Sequence, residues 1–526
     1  MSNLINKTQY IEFLDCRKNS WLKIHKPELI DLYELSDFEL NLLRQGNDVE
    51  EWARLLFPNG LFITPTEDNA VELSKKYIAQ KTPVIFQPTS VYDVFLARHD
   101  ILEYDQPSGK WNLYEVKSTS SVKENSKEID HIEDASFQVV ILKETGIELN
   151  KIFIICLNKE YIRSGNINSS QLFQIDDVTA EVNAREESTR QKMQEAKAAL
   201  LQDDETALEC LCIYKGRSAQ CTTFKHSYPH VPEYSVHDIY MIGKSKKKLA
   251  ALVDQEVFAL ENIPEEFELS PHQSIQVKAH KQAVSITNAA AIRAELASLI
   301  YPLYFFDYET YPSAIPLFDG FSPYQQVPFQ FSLHIVTSVD SEPEHREYLY
   351  RGDKDPSLEV IAKLKEFIGP VGSIIAWHKS FERDRTKELA QHYPEHTAFL
   401  EDLCNRLYDL EDIFKKRYFV HPDFKGKTSI KKVLPVLVPE LSYNDLDIRE
   451  GGLASQKWFE MCFSSISQNE KDKIASDLKK YCKMDTYAMY AIWKYLMTSF
   501  TPVRIVEAKP LGVFETFGQM AENLPR

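Results

Sequence analysis

The sequence predicts an α/β protein built as two units, and three observations predict it. Apolar strand-like runs alternate with helix-like stretches over residues 84–157 and again over 303–497, the pattern of mixed strand and helix layers. Between them, about 210–290, the chain is irregular, with Cys and His first and then a Pro-punctuated stretch from Ile263-Pro264 to Pro271-His272. The 526-residue length also exceeds one ordinary core of roughly 150 residues. The expected division is an N-terminal domain over 1–230, a connector over 231–297, a second domain over 298–500 and a tail over 501–526.

Residues 1 to about 60 read as helical, with apolar periodicity through Tyr10 to Leu22 and Leu40 to Leu56. Strands follow at Val84 to Phe86, Val94 to Glu103, Trp111 to Lys117 and Ile152 to Leu157, with a helix over Ala135 to Glu144. Residues 176–209 are charged, Ala-rich and free of Gly and Pro, which predicts a long surface helix. In the second unit, Leu303 to Phe306, Gln330 to Val336 and Ser373 to Trp377 read as strands. Phe381 to Gln391, Leu403 to Lys416 and Glu470 to Met497 read as helices.

A formal charge of −17 argues against wrapping a duplex non-specifically, since affinity for phosphates comes largely from Lys and Arg. A local channel can still be basic, and the candidate strips are Lys244 to Lys248, Lys415 to Arg417 and Lys425 to Lys432. The last is favoured, through Lys427, Lys431 and Lys432, because it joins charge to hydroxyls and a flexible Gly. The longest apolar run, Ile152 to Leu157, falls far short of the roughly 18 residues of a membrane helix. Met1 to Lys7 carries no export signal, so no membrane and a cytoplasmic location are expected. Eight cysteines in such a chain are not a disulfide framework. Cys156, Cys404, Cys462 and Cys482 sit in apolar or helical contexts and read as core thiols, which sets Cys16, Cys210, Cys212 and Cys221 apart.

The most pointed chemistry lies in Phe305-Phe306-Asp307-Tyr308-Glu309-Thr310 and, far downstream, Tyr481-Cys482-Lys483-Met484-Asp485-Thr486. Side chains two apart on a strand face one way, so Asp307 and Glu309 can grip one divalent cation, with Asp485 closing the cage. Mg²⁺ and Mn²⁺ take oxygen ligands, and a pair of them stabilises the attacking and leaving oxygens of phosphodiester hydrolysis. Tyr481 and Asp485, four apart, share a helix face. Together these motifs resemble the DEDD family of 3′-5′ exonucleases, in the subclass with tyrosine before the last aspartate. The resemblance implies a ribonuclease H-like fold, metal binding by Asp307, Glu309 and Asp485, and a Tyr481 that orients the attacking water. In the family's second motif Trp377-His378-Lys379-Ser380-Phe381-Glu382 puts His378 where Asn is usual and Glu382 where Asp is usual. Glu382 is then the fourth metal acid, with Asp409 and Asp412 as its substitutes.

Phe306 to Thr310, Pro323 to His334, Ser429 to Pro435 and Tyr481 to Met489 also resemble a bacterial family, formerly a domain of unknown function, that carries a nuclease-like N-terminal half. Tyr324 and Phe329 fall in this region, where core packing and stacking on single-stranded bases both remain open.

In the first unit, Asp100 on a strand precedes the turn Pro107-Ser108-Gly109 and then Trp111-Asn112-Leu113-Tyr114-Glu115-Val116-Lys117. Glu115 and Lys117 face one way, setting a metal-binding carboxylate beside a cation that can stabilise phosphorane charge. This arrangement resembles the PD-(D/E)XK nucleases, especially the RecB-like branch. The resemblance implies a restriction-endonuclease-like fold, metal at Asp100 and Glu115, catalytic roles for Lys117 and Gln138, and an upstream helix acid, Glu51 in preference to Glu50. Leu142 stands where that branch has Tyr. One RecB-like group binds a 4Fe-4S cluster through one N-terminal and three C-terminal cysteines. That implies Cys16, Cys210, Cys212 and Cys221, with zinc or a lost site as alternatives and His226 as a further ligand.

The combined expectation is a metal-dependent DNA nuclease with 3′-5′ exonuclease activity, acting in repair or in defence against foreign DNA. DNA is favoured over RNA through the RecB-like resemblance, and protein partners are left open. A 3′-5′ exoribonuclease and a nucleic-acid-binding scaffold with decayed sites are the alternatives.

Overall fold

The computed structural model describes residues 4–29, 37–64, 69–123 and 130–500. The expected tail, 501–526, lies outside the described residues. The fold is mixed α/β, with a six-stranded sheet in the first half of the chain and a five-stranded sheet in the second.

The six-stranded sheet runs Leu61–Phe62, Val84–Phe86, Ile101–Asp105, Lys110–Lys117, Leu149–Leu157, Phe173–Asp177. Lys110–Lys117 pairs antiparallel with Ile101–Asp105 and parallel with Leu149–Leu157. The parallel pair requires a crossover, which the helix His131–Glu144 provides. That helix is apolar nearly all round because the sheet covers one side and the helix Thr179–Leu200 packs on the other. The long helix expected over 176–209 is shorter than its composition suggests. Phe173–Asp177 is taken up as an antiparallel edge strand, and the helix ends at Leu200.

The strand expected over Val94 to Glu103 is two strands in two sheets. Phe95–Arg98 joins Ile5–Asn6 and Thr89–Tyr92, whereas Ile101–Asp105 joins the large sheet. The chain turns at His99-Asp100, where His99 N–H donates to the Pro88 carbonyl at 2.9 Å and the Asp100 carbonyl accepts Gln87 N–H at 3.0 Å. Asp100 therefore stands at a corner between sheets and not within a strand.

The stretch expected to be a bare connector has a core of its own. Val236, Ile239, Ile242, Leu249, Leu252, Leu260, Ile263 and Val277 pack in one cluster with Cys16, Cys210 and Cys212. Within it, Pro271–Gln282 is a helix opened by a Ser270 capping box and Pro at its first position.

The five-stranded sheet runs Glu344–Leu349, Gln326–Val336, Leu303–Pro312, Ile374–Ala376, Leu407–Asp409, with the first three antiparallel and the last two parallel to Leu303–Pro312. The expected helix Leu403 to Lys416 is interrupted. Thr397–Asn405 ends at Arg406, and Leu407–Asp409 completes the sheet because the Ile374–Ala376 strand has backbone groups that need partners. The central strand runs on past Phe306 to Pro312, so its two acids are not at its end but inside it.

Period-two alternation on that strand sorts the core. Leu303 and Phe305 face the helices Gly451–Phe463 and Gln468–Phe500, while Tyr304, Phe306 and Tyr308 face the helices Ser357–Phe367 and Ser380–His392. Asp307 and Glu309 thus lie on the Leu303 side, toward Gln468–Phe500. Phe329 is not a base-stacking candidate, being fully buried with its ring stacked on Trp458 at 4.5 Å.

The two halves touch. The Ala314 N–H donates to Gln45 Oε1 at 2.8 Å, and Arg163 donates to the carbonyls of Pro316 and Leu317. Among the described residues no helix is long and apolar enough to cross a membrane. Trp458 joins the helical layer to the sheet and donates its indole N–H to the Tyr350 carbonyl at 3.0 Å. Trp458→Ala should therefore cost about 3–5 kcal/mol, read as a lower urea midpoint with an unchanged m-value.

Candidate functional site

In the second half, the Leu303–Pro312 strand, the N-terminus of Ser380–His392 and the middle of Gln468–Phe500 converge on a cavity of about 450 Å³. Asp307, Glu309, Glu382, Tyr481 and Asp485 all line it, so the residues expected to form the metal site are brought together. A register shift between Glu309 and Thr310 re-aims the strand end, and Gly451 lines the cavity beside Glu309. Tyr443 was not foreseen. Its hydroxyl donates to Asp485 Oδ1 at 2.7 Å. Cys482, expected as a plain core thiol, lies 4.0 Å from Asp307 Oδ2 and forms with Asp307 and Glu309 a group able to hold a metal ion.

Glu309, Glu382 and Asp485 are buried and Asp307 is half-buried, and burial penalises their charged forms. Burial and the Asp485 charge raise Asp307 and Glu309 well above the carboxylate range. Burial also raises Asp485 to about 6, and Glu382 to about 8. Glu382 Oε2 is buried with no hydrogen-bond partner among the described residues. Burial of Tyr481, followed by the Asp485 charge, drives its hydroxyl pKa far up. Lys431 faces the same cavity, its ammonium 5.6 Å from the Tyr443 ring centre and 5.7 Å from that of Tyr481. Oxygen donors, an orphaned carboxylate oxygen and crowded negative charge fit a hard divalent cation.

The substitute acids do not enter the cavity. Asp409 Oδ1 instead accepts the backbone N–H groups of His378 and Glu411, and Asp412 pairs with Lys416 at 3.1 Å. The strip Lys415 to Arg417 is likewise taken up internally: Lys415 pairs with Glu411 at 2.5 Å and buried Arg417 stacks over Tyr240. Lys427 and Lys432 are exposed. Tyr324 is half-buried against the first half, its hydroxyl donating to the Ser118 carbonyl, so it bridges the two halves and is no free stacking platform.

The N-terminal residues also assemble, in a different state. Glu115 Oε1 accepts Lys117 and Lys7, each at 2.7 Å, and Oε2 accepts Gln138 at 2.6 Å. Lys7 and Asp134, missed from sequence, complete this network: Lys7 pairs with Asp134 at 3.0 Å and Lys117 also donates to it. Although burial opposes it, Lys117 and Lys7 hold Glu115 well below the usual range. Asp100 lies beside them, raised by burial and by the Glu115 charge, with Oδ2 accepting Val116 N–H at 2.7 Å. Its helix partner is Glu50 and not Glu51. Gln87 donates to Glu50 at 2.6 Å and reaches Asp100 at 3.3 Å, whereas Glu51, next along the helix and so about 100° round it, is exposed beside Arg54. Leu142 is fully buried in the core.

The four cysteines set apart in the sequence meet. Cys16, Cys210, Cys212 and Cys221 place their sulfurs within 4.8 Å of one another. His226 pairs with Glu205 at 3.2 Å instead.

Residues 304–429 match a domain of unknown function, DUF2779. The match takes in Asp307, Glu309 and Glu382 and stops short of Lys431, Tyr481 and Asp485. The chain is 28% identical over 242 residues to the "Uncharacterized protein UU173" of Ureaplasma parvum, covering 42% of this chain and 34% of that protein. It is 28% identical over 209 residues to the "Uncharacterized protein MG366" of Mycoplasma genitalium, covering 36% of this chain and 31% of that protein. The chain spans about a third of the length of these curated relatives.

Raised carboxylate pKa values fix a direction for stability. The folded chain holds protons that the unfolded chain releases near about pH 4, so metal-free stability falls as pH rises through about 6 for Asp485 and about 8 for Glu382. Mn²⁺ should therefore raise the melting temperature more at pH 8 than at pH 5.5, and Asp307→Asn should shrink that difference in a thermal-shift titration.

Proposed function

We propose that this chain is a divalent-metal-dependent nuclease that hydrolyses DNA phosphodiester bonds, removing nucleotides from the 3′ end at its C-terminal cavity. The observation that carries the reading is the convergence of Asp307, Glu309, Glu382 and Asp485 with Tyr481 on one cavity. The same residues carry the sequence resemblance to the DEDD exonucleases and to a ribonuclease H-like domain over 298–500.

Asp307, Glu309, Asp485 and Glu382 would hold Mg²⁺ or Mn²⁺, which supplies Lewis-acid stabilisation of the oxygens that gain charge. The residues themselves do the rest. Burial and the neighbouring carboxylates push the Tyr481 hydroxyl pKa up, and Tyr481, lining the cavity beside Asp485, would orient the attacking water. Tyr443 orients Asp485 through its hydrogen bond. Lys431 lends positive charge for a phosphate at the cavity mouth, with exposed Lys427 and Lys432 extending it. Trp377, Phe381 and Ile430 line the same cavity and give a sugar or base an apolar wall. The Trp377 indole N–H, buried without a partner among the described residues, adds a donor.

The preference for DNA, and a setting in repair or defence, rest on the RecB-like resemblance of Asp100, Glu115, Lys117 and Gln138. In that N-terminal cluster the two oxygens of Glu115 are already engaged by two ammonium groups and an amide. It is assigned the lesser part of the hydrolysis.

The test is end-labelled single-stranded DNA and RNA of one sequence, each with Mn²⁺, Mg²⁺ or EDTA. A metal-dependent ladder shortening DNA from its 3′ end is expected. Asp307→Asn should slow it by about 100-fold or more, and Glu115→Gln should leave the rate near that of the parent chain. Shortening of RNA alone would replace the reading with an exoribonuclease, and no cleavage of either would replace it with a binding scaffold.

A further inference from the structure

The RecB-like resemblance implies a 4Fe-4S cluster at Cys16, Cys210, Cys212 and Cys221, and the sulfur geometry does not fit one. The Cys16 and Cys210 sulfurs are 3.7 Å apart, those of Cys210 and Cys221 are 3.6 Å apart, and no pair of the four exceeds 4.8 Å. A cubane keeps its ligating thiolates on the order of 6 Å apart, because four irons and four sulfides stand between them. A single tetrahedral ion with Zn–S bonds of about 2.3 Å sets its sulfurs about 3.8 Å apart. The observed spacing belongs to the second case. We propose that Cys16, Cys210, Cys212 and Cys221 bind one zinc ion as a closed tetrathiolate site.

The surroundings are built for such a site. Cys16, Cys210 and Cys212 are buried and set in an apolar cluster with Ile213, Phe224 and Leu249. Outer hydrogen bonds fix the ligand-bearing loops. Asn19 Oδ1, on the helix Arg17–His25 that follows Cys16, accepts the Thr223 N–H at 3.1 Å and the Thr223 hydroxyl at 2.9 Å, tying that helix to the Cys221 loop. The Tyr228 hydroxyl donates to the Cys210 carbonyl at 2.7 Å. With four protein ligands the site has no open position for substrate, so its role is structural. It joins segments 194 positions apart in sequence. Cys16 caps the helix Lys7–Asp15, whose first residue reaches Glu115, so the ion clasps the helix that delivers Lys7 to the N-terminal cluster.

The test is elemental analysis of the full-length chain, produced with both zinc and iron supplied and purified anaerobically without chelator. About one zinc per chain, with no acid-labile sulfide and no visible absorption, is expected. Replacing the ion with Co²⁺ should give the intense visible bands of a tetrahedral tetrathiolate. Cys212→Ser should lose zinc and Cys404→Ser should keep it; if Cys212→Ser does not fold, the cobalt spectrum of the parent chain decides. Iron with stoichiometric sulfide would overturn the proposal, as would a folded chain with no bound metal. Neither result bears on the exonuclease reading, since no ligand of this site lines the C-terminal cavity.

Discussion

Buried carboxylates of like charge cannot share a small volume unless something neutralises them, and this chain meets that constraint twice by opposite means. In the first half, Glu115 and Asp134 are answered by Lys117 and Lys7 at hydrogen-bonding distance. Opposite charges this close balance within the protein, at the cost of desolvating both. In the second half, Asp307, Glu309, Glu382 and Asp485 face one cavity with Lys431 as the cation beside them. The shortfall emerges as raised carboxylate pKa values and as a Glu382 oxygen with nothing to bond. The two clusters differ less in their acids than in how closely ammonium groups engage them: Lys7 and Lys117 are hydrogen-bonded to Glu115, whereas Lys431 lines the cavity beside its acids.

The layering around the second sheet is what makes that shortfall durable. Phe305 and Phe306 commit opposite faces of the central strand to two helical layers, and the alternation forces Asp307 and Glu309 onto one face with no freedom to turn outward. On Gln468–Phe500 the apolar residues that pack that layer, Leu478, Met489, Ile492 and Trp493, fix the helix rotation. Tyr481 and Asp485 are then presented inward whatever their own preference. Packing energy holds the acids together against their repulsion.

Local spacing made much of this legible. Asp307 and Glu309 obey the period of a strand and Tyr481 and Asp485 that of a helix, so each pair could be placed on a face from sequence. Glu115 and Lys117 were legible for the same reason. What escaped has long-range causes. Lys7, Asp134 and Tyr443 act through contacts across 108, 17 and 42 positions, and nothing in their own neighbourhood signals it. Glu51 was preferred to Glu50 because adjacent residues on a helix cannot be told apart without knowing its rotation. Phe173–Asp177 and Leu407–Asp409 are short edge strands whose composition also suits a helix, and pairing with a neighbour decided them.

The same long-range logic links the cysteines to the first cluster. The helix Lys7–Asp15 is short, with nine residues and two of them buried, and helices of this length are marginal alone. Its ends are fixed from outside: Lys7 by Glu115 and Asp134, and Cys16, at the other end, by the sulfurs of Cys210, Cys212 and Cys221. Between them Tyr10 donates to buried Glu133, which Lys192 also pairs. A charge network and a cysteine cluster thus anchor opposite ends of one small helix. Loosening either end frees the ammonium group that now neutralises Glu115 and Asp134.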